Sequence, residues 1–195
     1  MRQRHLIILA KAPRLGRVKR RLARDIGDLE ALNFYRTTLT RTIRRLSRDR
    51  RWQTWLFVDN NSARWPGGLP RRQQTQGNLG RRMEKALQSV PSGPVVLIGS
   101  DIPCANASDI RAAFHALEGM DAVFGPSTDG GYWLIGIPNN RAAPTLFQDV
   151  RWSSEHALSD TIHNLRLPRK FGLAPVLSDI DNGISFANWR LESGH

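Results

Sequence analysis

A run of basic residues around one glycine, KAPRLGRVKRRLA from Lys11 to Ala23, follows directly on the apolar stretch HLIILA. Gly16 permits an unusual backbone turn, and Arg14, Arg17, Lys19 and Arg20 are side chains that can face phosphate. The Walker spacing G-x-x-x-x-G-K-[ST] is absent, so an ordinary basic loop is the alternative reading. In GSDIP, residues 99–103, Asp101 emerges just after an apolar run and Pro103 stiffens the exit. A carboxylate there suits a hard cation such as Mg²⁺, which takes one or two protein carboxylates and completes its shell with phosphate and water. Helix capping is the structural alternative, but Asp101 lies too far ahead of the next helical pattern for that to be its whole role. PSTDGGYW, residues 126–133, places Asp129 before paired glycines and an aromatic pair. That shape lets a substrate approach the backbone closely, or closes a tight hairpin through its DG turn. Asp179 and Asp181 offer a second carboxylate to the same cation, or cap the following helix. His5, His115, His156, His163 and His195 are scattered and form no recognisable catalytic pattern with serine and aspartate.

These positions share a setting, because each follows or joins a short apolar run. In open α/β sheets, ligands sit at the carboxyl ends of the strands. Apolar runs alternating with amphipathic stretches predict a largely parallel α/β sheet with helices on both faces. Strands are expected at His5–Ala10, Trp55–Val58, Pro94–Ile98, Asp121–Phe124, Tyr132–Ile137 and Ala174–Leu177. One helix is expected from Asp28, its N-cap, with Leu29, Leu32, Tyr35, Leu39, Ile43 and Leu46 on its apolar face. Others are expected at Leu79–Leu87, at Ile110–Leu117 behind a Ser108 cap, and at about Ser154–Leu165. Residues Asn60–Pro70 read as a loop.

The chain has 195 residues, which predicts one domain able to bury a core without disulfides. Its one cysteine, Cys104, excludes a disulfide framework or cysteine-rich zinc module. No apolar run approaches the roughly 20 residues of a membrane-spanning helix, and the short run after Arg2 and Arg4 is no signal peptide; membrane insertion is not expected, and the expected location is cytoplasmic. Net charge is +12, and residues 1–85 hold 22 Lys and Arg against 6 Asp and Glu. Such a field attracts phosphate or nucleic acid without specifying chemistry. A basic nucleic-acid-binding protein is therefore one candidate reading, with Trp52, Trp55 and Trp65 available either for stacking or for the core.

Taken in order, LAKAPRLGRVKRRLA, TQGNLGRRM, IGSDIP, AVFGPSTDGGYWLIGI, LFQDVRWSS and SDID span nearly the whole chain. The set resembles the small bacterial GT-A-like transferases, described as selenodomain-associated transferases or arsenosugar-type glycosyltransferases. It is also similar to the guanylyltransferases of phospholactate and molybdenum cofactor synthesis. The resemblance implies a Rossmann-like nucleotide-diphospho-sugar transferase fold as a single domain over residues 1–195, with Mg²⁺ or Mn²⁺ held on the phosphates of a nucleotide. It implies nucleotide contacts from Ala10, Lys11, Arg14, Gly16, Arg17, Lys19 and Ser100, and a base pocket shaped by Gln76, Gly77 and the stretch to Gly80. Asp101 would be the metal ligand, Asp181 a second one, and Asp129, Gly130, Gly131 and Tyr132 would face the acceptor or sugar. Asp101, Asp129 and Lys19 would carry catalysis. The implied partners are a nucleotide sugar or nucleoside triphosphate and a small-molecule acceptor. The sequence departs from the family pattern at Arg20, Asn78, Ala105, Thr128 and the NGISF after Asp181, several of them positions where an acid is usual. That leaves an active enzyme with a changed acceptor, or a nucleotide binder with weakened catalysis.

Overall fold

The computed structural model describes residues 2–66, 68–138, 145–165, 168 and 170–193. Its strands are β1 (His5–Ala10), β2 (Gln53–Val58), β3 (Arg71–Gln73), β4 (Val95–Gly99), β5 (Ala122–Pro126), β6 (Tyr132–Ile137) and β7 (Phe171–Leu173). The helices are α1 (Arg20–Ile26), α2 (Asp28–Ser47), α3 (Leu79–Ser89), α4 (Ala107–Ala116), α5 (Ala157–His163) and α6 (Gly183–Ser193). The strands form one sheet in the order β3-β2-β1-β4-β6-β5-β7. Only β6 runs antiparallel to its neighbours, so the sheet is mostly parallel.

The central strands are apolar throughout because both faces are covered. Leu6, Ile8, Leu56, Val58, Val96 and Ile98 pack with Leu39, Ile43, Ile110 and Phe114 of α2 and α4. Alternate residues Ile7, Trp55, Phe57, Val95 and Leu97 meet Met83, Ala86 and Leu87 of α3 on the other face. Leu22, Phe34, Ile180 and Phe186 form a third cluster that joins α1, α2 and α6.

Two features of this topology place the site. After β1 the chain moves to β2 and β3 on one side, whereas β4 joins β1 on the other, so the β1–β4 boundary is a topological switch point where the strand ends leave a crevice. The short loop from β5 makes β6 its antiparallel partner, which brings the DGG turn to the same end of the sheet as the carboxyl ends of β1 and β4.

The element boundaries differ from expectation at several points. Residues from Arg20 form a helix rather than continuing the basic loop. Gly27, with φ of 86°, occupies the α2 N-cap in place of Asp28. Asn106 caps α4 in place of Ser108, in a capping box with Asp109. The final strand is Phe171–Leu173, three residues earlier than predicted. Residues beyond it keep β5 company through single bonds, Ala174 N–H to Phe124 O at 2.8 Å and Leu177 N–H to Pro126 O at 3.1 Å. Helix α5 is shorter at both ends than the predicted 154–165. The three-residue β3 and the whole of α6 were not expected.

Candidate active site

A cavity of about 440 Å³ opens at the switch point, lined by Ala10 and Lys11 from the end of β1, Ser100 and Asp101 from the end of β4, and Asp129, Gly131 and Tyr132 from the β5–β6 turn. Lys19 and Asp179 complete its charged wall. The backbone of β1 is fixed here by Tyr35 of α2: the Lys11 N–H donates to the Tyr35 hydroxyl at 3.0 Å, the hydroxyl faces the Lys11 carbonyl at 3.0 Å, and Ser100 Oγ lies 3.0 Å away. One buried phenol thus couples the ends of β1 and β4, and burial pushes it up to about 12. Gln74, just beyond β3, donates from Nε2 to the carbonyls of Ala10 and Phe57, both at 2.9 Å. Asp59 accepts from the Ala12 N–H at 2.6 Å and turns the basic loop away from the sheet.

Carboxylate oxygens of Asp101, Asp179 and Asp181 lie within 4.8 Å of one another. None of them is spent on capping: α4 has Asn106, and at the start of α6 the Asn182 side chain accepts from the Ser185 N–H at 2.9 Å. Three converging carboxylates are the donor set that a hard divalent cation takes, so the residues fit Mg²⁺ or Mn²⁺. Burial, then the neighbouring Asp181 carboxylate, pushes Asp179 up to about 6. Lys19 lies among these acids. Its ammonium sits 2.8 Å from Asp101 Oδ2 and 2.8 Å from Asp181 Oδ1, with only 3% of the side chain exposed. Burial alone would lower its pKa; the two carboxylates more than offset that and hold it above the ordinary lysine value. Lys19 also adopts φ of 45°, a left-handed conformation that a non-glycine residue holds at a cost.

The opposite wall is aromatic and hydroxylic: Tyr132, Trp133, Trp152, Ser127, Ser153 and Ser154. Burial raises the Tyr132 phenol above its ordinary value, keeping it a neutral donor. Asp129 Oδ1 accepts from the Gly131 N–H at 2.9 Å. Gly130 has φ of +82°, and a Cβ there would come within 2.3 Å of the Glu155 carbonyl oxygen. Its role is close backbone approach to the 153–158 segment; it does not line the cavity. Arg14, Gly16, Arg17, Gln76 and Gly77 also lie outside the lining. The two arginines are exposed, and Gly77, with φ of +118°, forms the turn before α3.

Tyr35, Gln74, Arg82 and Trp152 line the cavity without having been singled out in the sequence. Tyr35 is concealed by its place on an apolar helical face; a lone hydroxyl there was the available signal. Two departures from the family pattern acquire structural duties. Asn78 caps α3, accepting from the Arg81 N–H at 2.9 Å, and the Thr128 hydroxyl pairs with that of Ser178 at 3.1 Å. The scattered histidines form no catalytic group among the described residues; His5 is buried beside Trp55, and His195 lies outside those residues.

Residues 41–154 match the family described as an uncharacterized protein conserved in bacteria, DUF2064. The chain belongs to this family. No functionally curated protein matches it. Among solved structures, this DUF2064 member is similar to a protein of Desulfovibrio desulfuricans G20 provisionally named a nucleotide-diphospho-sugar transferase. The two are 27% identical with a TM-score of 0.83, over 93% of this chain and 84% of that one. A CMP:2-keto-3-deoxy-manno-octonic acid synthetase complexed with CTP shares the fold at 10% identity and a TM-score of 0.63, covering 99% of each chain. So does Rv0371c of Mycobacterium tuberculosis H37Rv in a complex with manganese, at 17% identity and a TM-score of 0.55, over 95% and 96% of the two chains. The DUF2064 chain has the nucleotide-diphospho-sugar transferase fold. No helix among its described residues is long and apolar enough to cross a membrane.

Proposed function

We propose that this protein is a metal-dependent transferase that takes an activated nucleotide as donor, with glycosyl transfer from a nucleotide sugar as its reaction. The observation that carries the reading is the convergence of Asp101, Asp179 and Asp181 within 4.8 Å beside Lys11 and Ser100 at the switch-point cavity. The resemblance to the Desulfovibrio protein supports it. The manganese complex of a distant structural neighbour agrees with a divalent ion at such a site.

Asp101, with Asp179 and Asp181, would hold Mg²⁺ or Mn²⁺. The ion would neutralise charge on the nucleotide's phosphates as the donor bond breaks. Ala10, Lys11 and Ser100 form the floor on which the nucleotide lies, held in register by the Tyr35 hydroxyl. Lys19 supplies positive charge next to the leaving diphosphate, and the exposed Arg14 and Arg17 add to the field that draws the anion. Gln74 and Arg82, at the β3 side, border the space for the base. Tyr132, Trp152 and Asp129 face the acceptor. Asp129 has one oxygen fixed by Gly131 and a second that carries no hydrogen bond among the described residues, and this second oxygen orients the acceptor hydroxyl and receives its proton.

A second reading, nucleotidyl transfer with release of pyrophosphate, is favoured by the shared fold with a CTP-bound synthetase and uses the same charged wall. A thermal-shift panel of nucleoside triphosphates, diphosphates and nucleotide sugars, with and without Mn²⁺, tests the class and names the donor. At about 100-fold excess over Kd a ligand adds about 2.7 kcal/mol, a shift of roughly 5 to 10 °C for a chain of this size. The shift is expected to need Mn²⁺ and to vanish in Asp101→Asn. Pyrophosphate release on adding acceptor selects the nucleotidyl reading, and a free nucleoside diphosphate selects glycosyl transfer. Absence of a nucleotide shift under every condition refutes both.

A further inference from the structure

The Lys19 ammonium bridges two of the three acids that could hold a cation. It lies 2.8 Å from an oxygen of Asp101 and 2.8 Å from one of Asp181, two of the three acids whose oxygens converge. Its side chain is 3% exposed, whereas the two carboxylates are 35% and 39% exposed, so the ammonium is held beneath acids that still face solvent. The backbone at Lys19 is in the left-handed region at the N-cap of α1, and its side chain is enclosed while Arg14, Arg17 and Arg20 on the same segment remain exposed. A cation on these carboxylates would lie about 4 Å from the ammonium, a separation at which like charges repel strongly at a partly enclosed site.

We propose that Lys19 makes the cation site specific for a metal–polyphosphate complex over the free metal ion. Without phosphate, Lys19 neutralises Asp101 and Asp181 and resists the ion. When a diphosphate or triphosphate enters with its metal, the phosphate oxygens give the ammonium an alternative anionic partner and the carboxylates turn to the metal. Metal and nucleotide then bind with positive coupling, each raising the affinity for the other by the same factor. The inference rests on the cation site proposed above and assigns Lys19 a role that the family resemblance, which makes it a phosphate contact, does not contain.

The experiment uses the full chain and Mn²⁺ alone. Calorimetric titration is expected to show Lys19→Met binding Mn²⁺ about ten-fold or more tightly than the wild type, the least that removal of an opposing unit charge at this distance should give. Lys19→Gln, which keeps a donor without the charge, should do the same and guards against misfolding of one variant. The second readout is acylation of amines followed by peptide mass spectrometry, which is simple to assign because the lysines are Lys11, Lys19, Lys85 and Lys170. Lys19 should be protected in the free protein and become reactive on saturation with Mn²⁺. Equal or weaker Mn²⁺ affinity in both variants, or a Lys19 that stays protected with Mn²⁺ bound, overturns the proposal. If Asp101→Asn abolishes Mn²⁺ binding while the Lys19 variants leave it unchanged, only this inference fails. If Mn²⁺ binds none of the proteins, or binds without regard to Asp101, the cation site itself fails and the inference with it.

Discussion

Replacing Tyr35 by Phe deletes one oxygen and keeps the ring, so the change isolates what the hydroxyl does. That oxygen lies 3.0 Å from the Lys11 nitrogen, 3.0 Å from the Lys11 carbonyl and 3.0 Å from Ser100 Oγ, at a residue 3% exposed. Its loss leaves a part-buried backbone N–H without its partner, which costs about 1 to 3 kcal/mol. For a chain of this length that corresponds to a fall in Tm of roughly 2 to 12 °C. Urea unfolding should show a lower midpoint with an unchanged slope, because little change in buried area is involved. Ser100→Ala should cost less, and the double variant should fall short of additivity by about 0.5 to 1.5 kcal/mol, since both singles break the same contact. The nucleotide-dependent thermal shift should also shrink, because Lys11 and Ser100 both line the cavity. A Tyr35→Phe protein with wild-type stability and strict additivity with Ser100→Ala would refute the coupling of the two strand ends through this phenol.

Gly130→Ala meets both a positive φ and backbone contacts at 2.3 and 2.5 Å from Glu155; it should lose at least about 2 kcal/mol, whereas Gly119→Ala, with open space around its Cβ, should lose far less. His5 is fully buried and accepts from Trp55 Nε1 at 3.2 Å, and burial pulls its pKa below 6.5. The folded state therefore binds fewer protons than the unfolded chain below that pH, and stability that is complete above 6.5 is lost as the pH falls through the window beneath it. Urea midpoints between pH 7.5 and 5 should drop more steeply for the wild type than for His5→Phe, and parallel curves would exclude His5 as a source of the acid limb. Asp101→Asn should abolish the Mn²⁺-dependent nucleotide shift while leaving the sheet folded, as read by an unaltered circular dichroism spectrum.

The strands that build the crevice were legible because β1, β2 and β4 are buried on both faces, and an unbroken run such as HLIILA has few other uses. Their order was not. The place of β6 between β4 and β5 depends on a hairpin that the DGG turn suggests and on a pairing with β4 that no local pattern encodes. The three-residue β3 carries Arg71, Arg72 and Gln73 with every residue exposed, so nothing apolar marks it. Helix α6 eluded the reading because its apolar residues scatter: Ile184 and Leu191 are exposed, and Phe186 is buried against Phe34. In the site, Asp101 and the DGG turn could be found because each follows an apolar run directly. So could a second carboxylate from Asp179 or Asp181 for the same cation; the Tyr35 hydroxyl that ties the two strand ends could not. By residue type alone Lys19 looks like one more cation in a basic loop and only the family resemblance marks it out; the fold separates it from the exposed Arg17 and Arg20 by burying it against Asp101 and Asp181. The departures from the family pattern at Asn78 and Thr128 read as lost acids in the sequence, yet the fold employs both as hydrogen-bonding residues.

The sheet is complete at Leu173, before either Asp179 or Asp181 has entered the chain. The segment carrying these acids is fastened by separate attachments: the Trp133 indole N–H to the Pro175 carbonyl at 3.0 Å, Lys19 to Asp181, and Asp25 to the Gly183 N–H at 2.7 Å. Asp101 follows a central strand directly, while Asp179 and Asp181 lie on a segment outside the sheet, on either side of the buried Ile180. Two of the three acids can therefore be exchanged without touching a strand, while Ile180 between them stays fixed in the core of α1, α2 and α6.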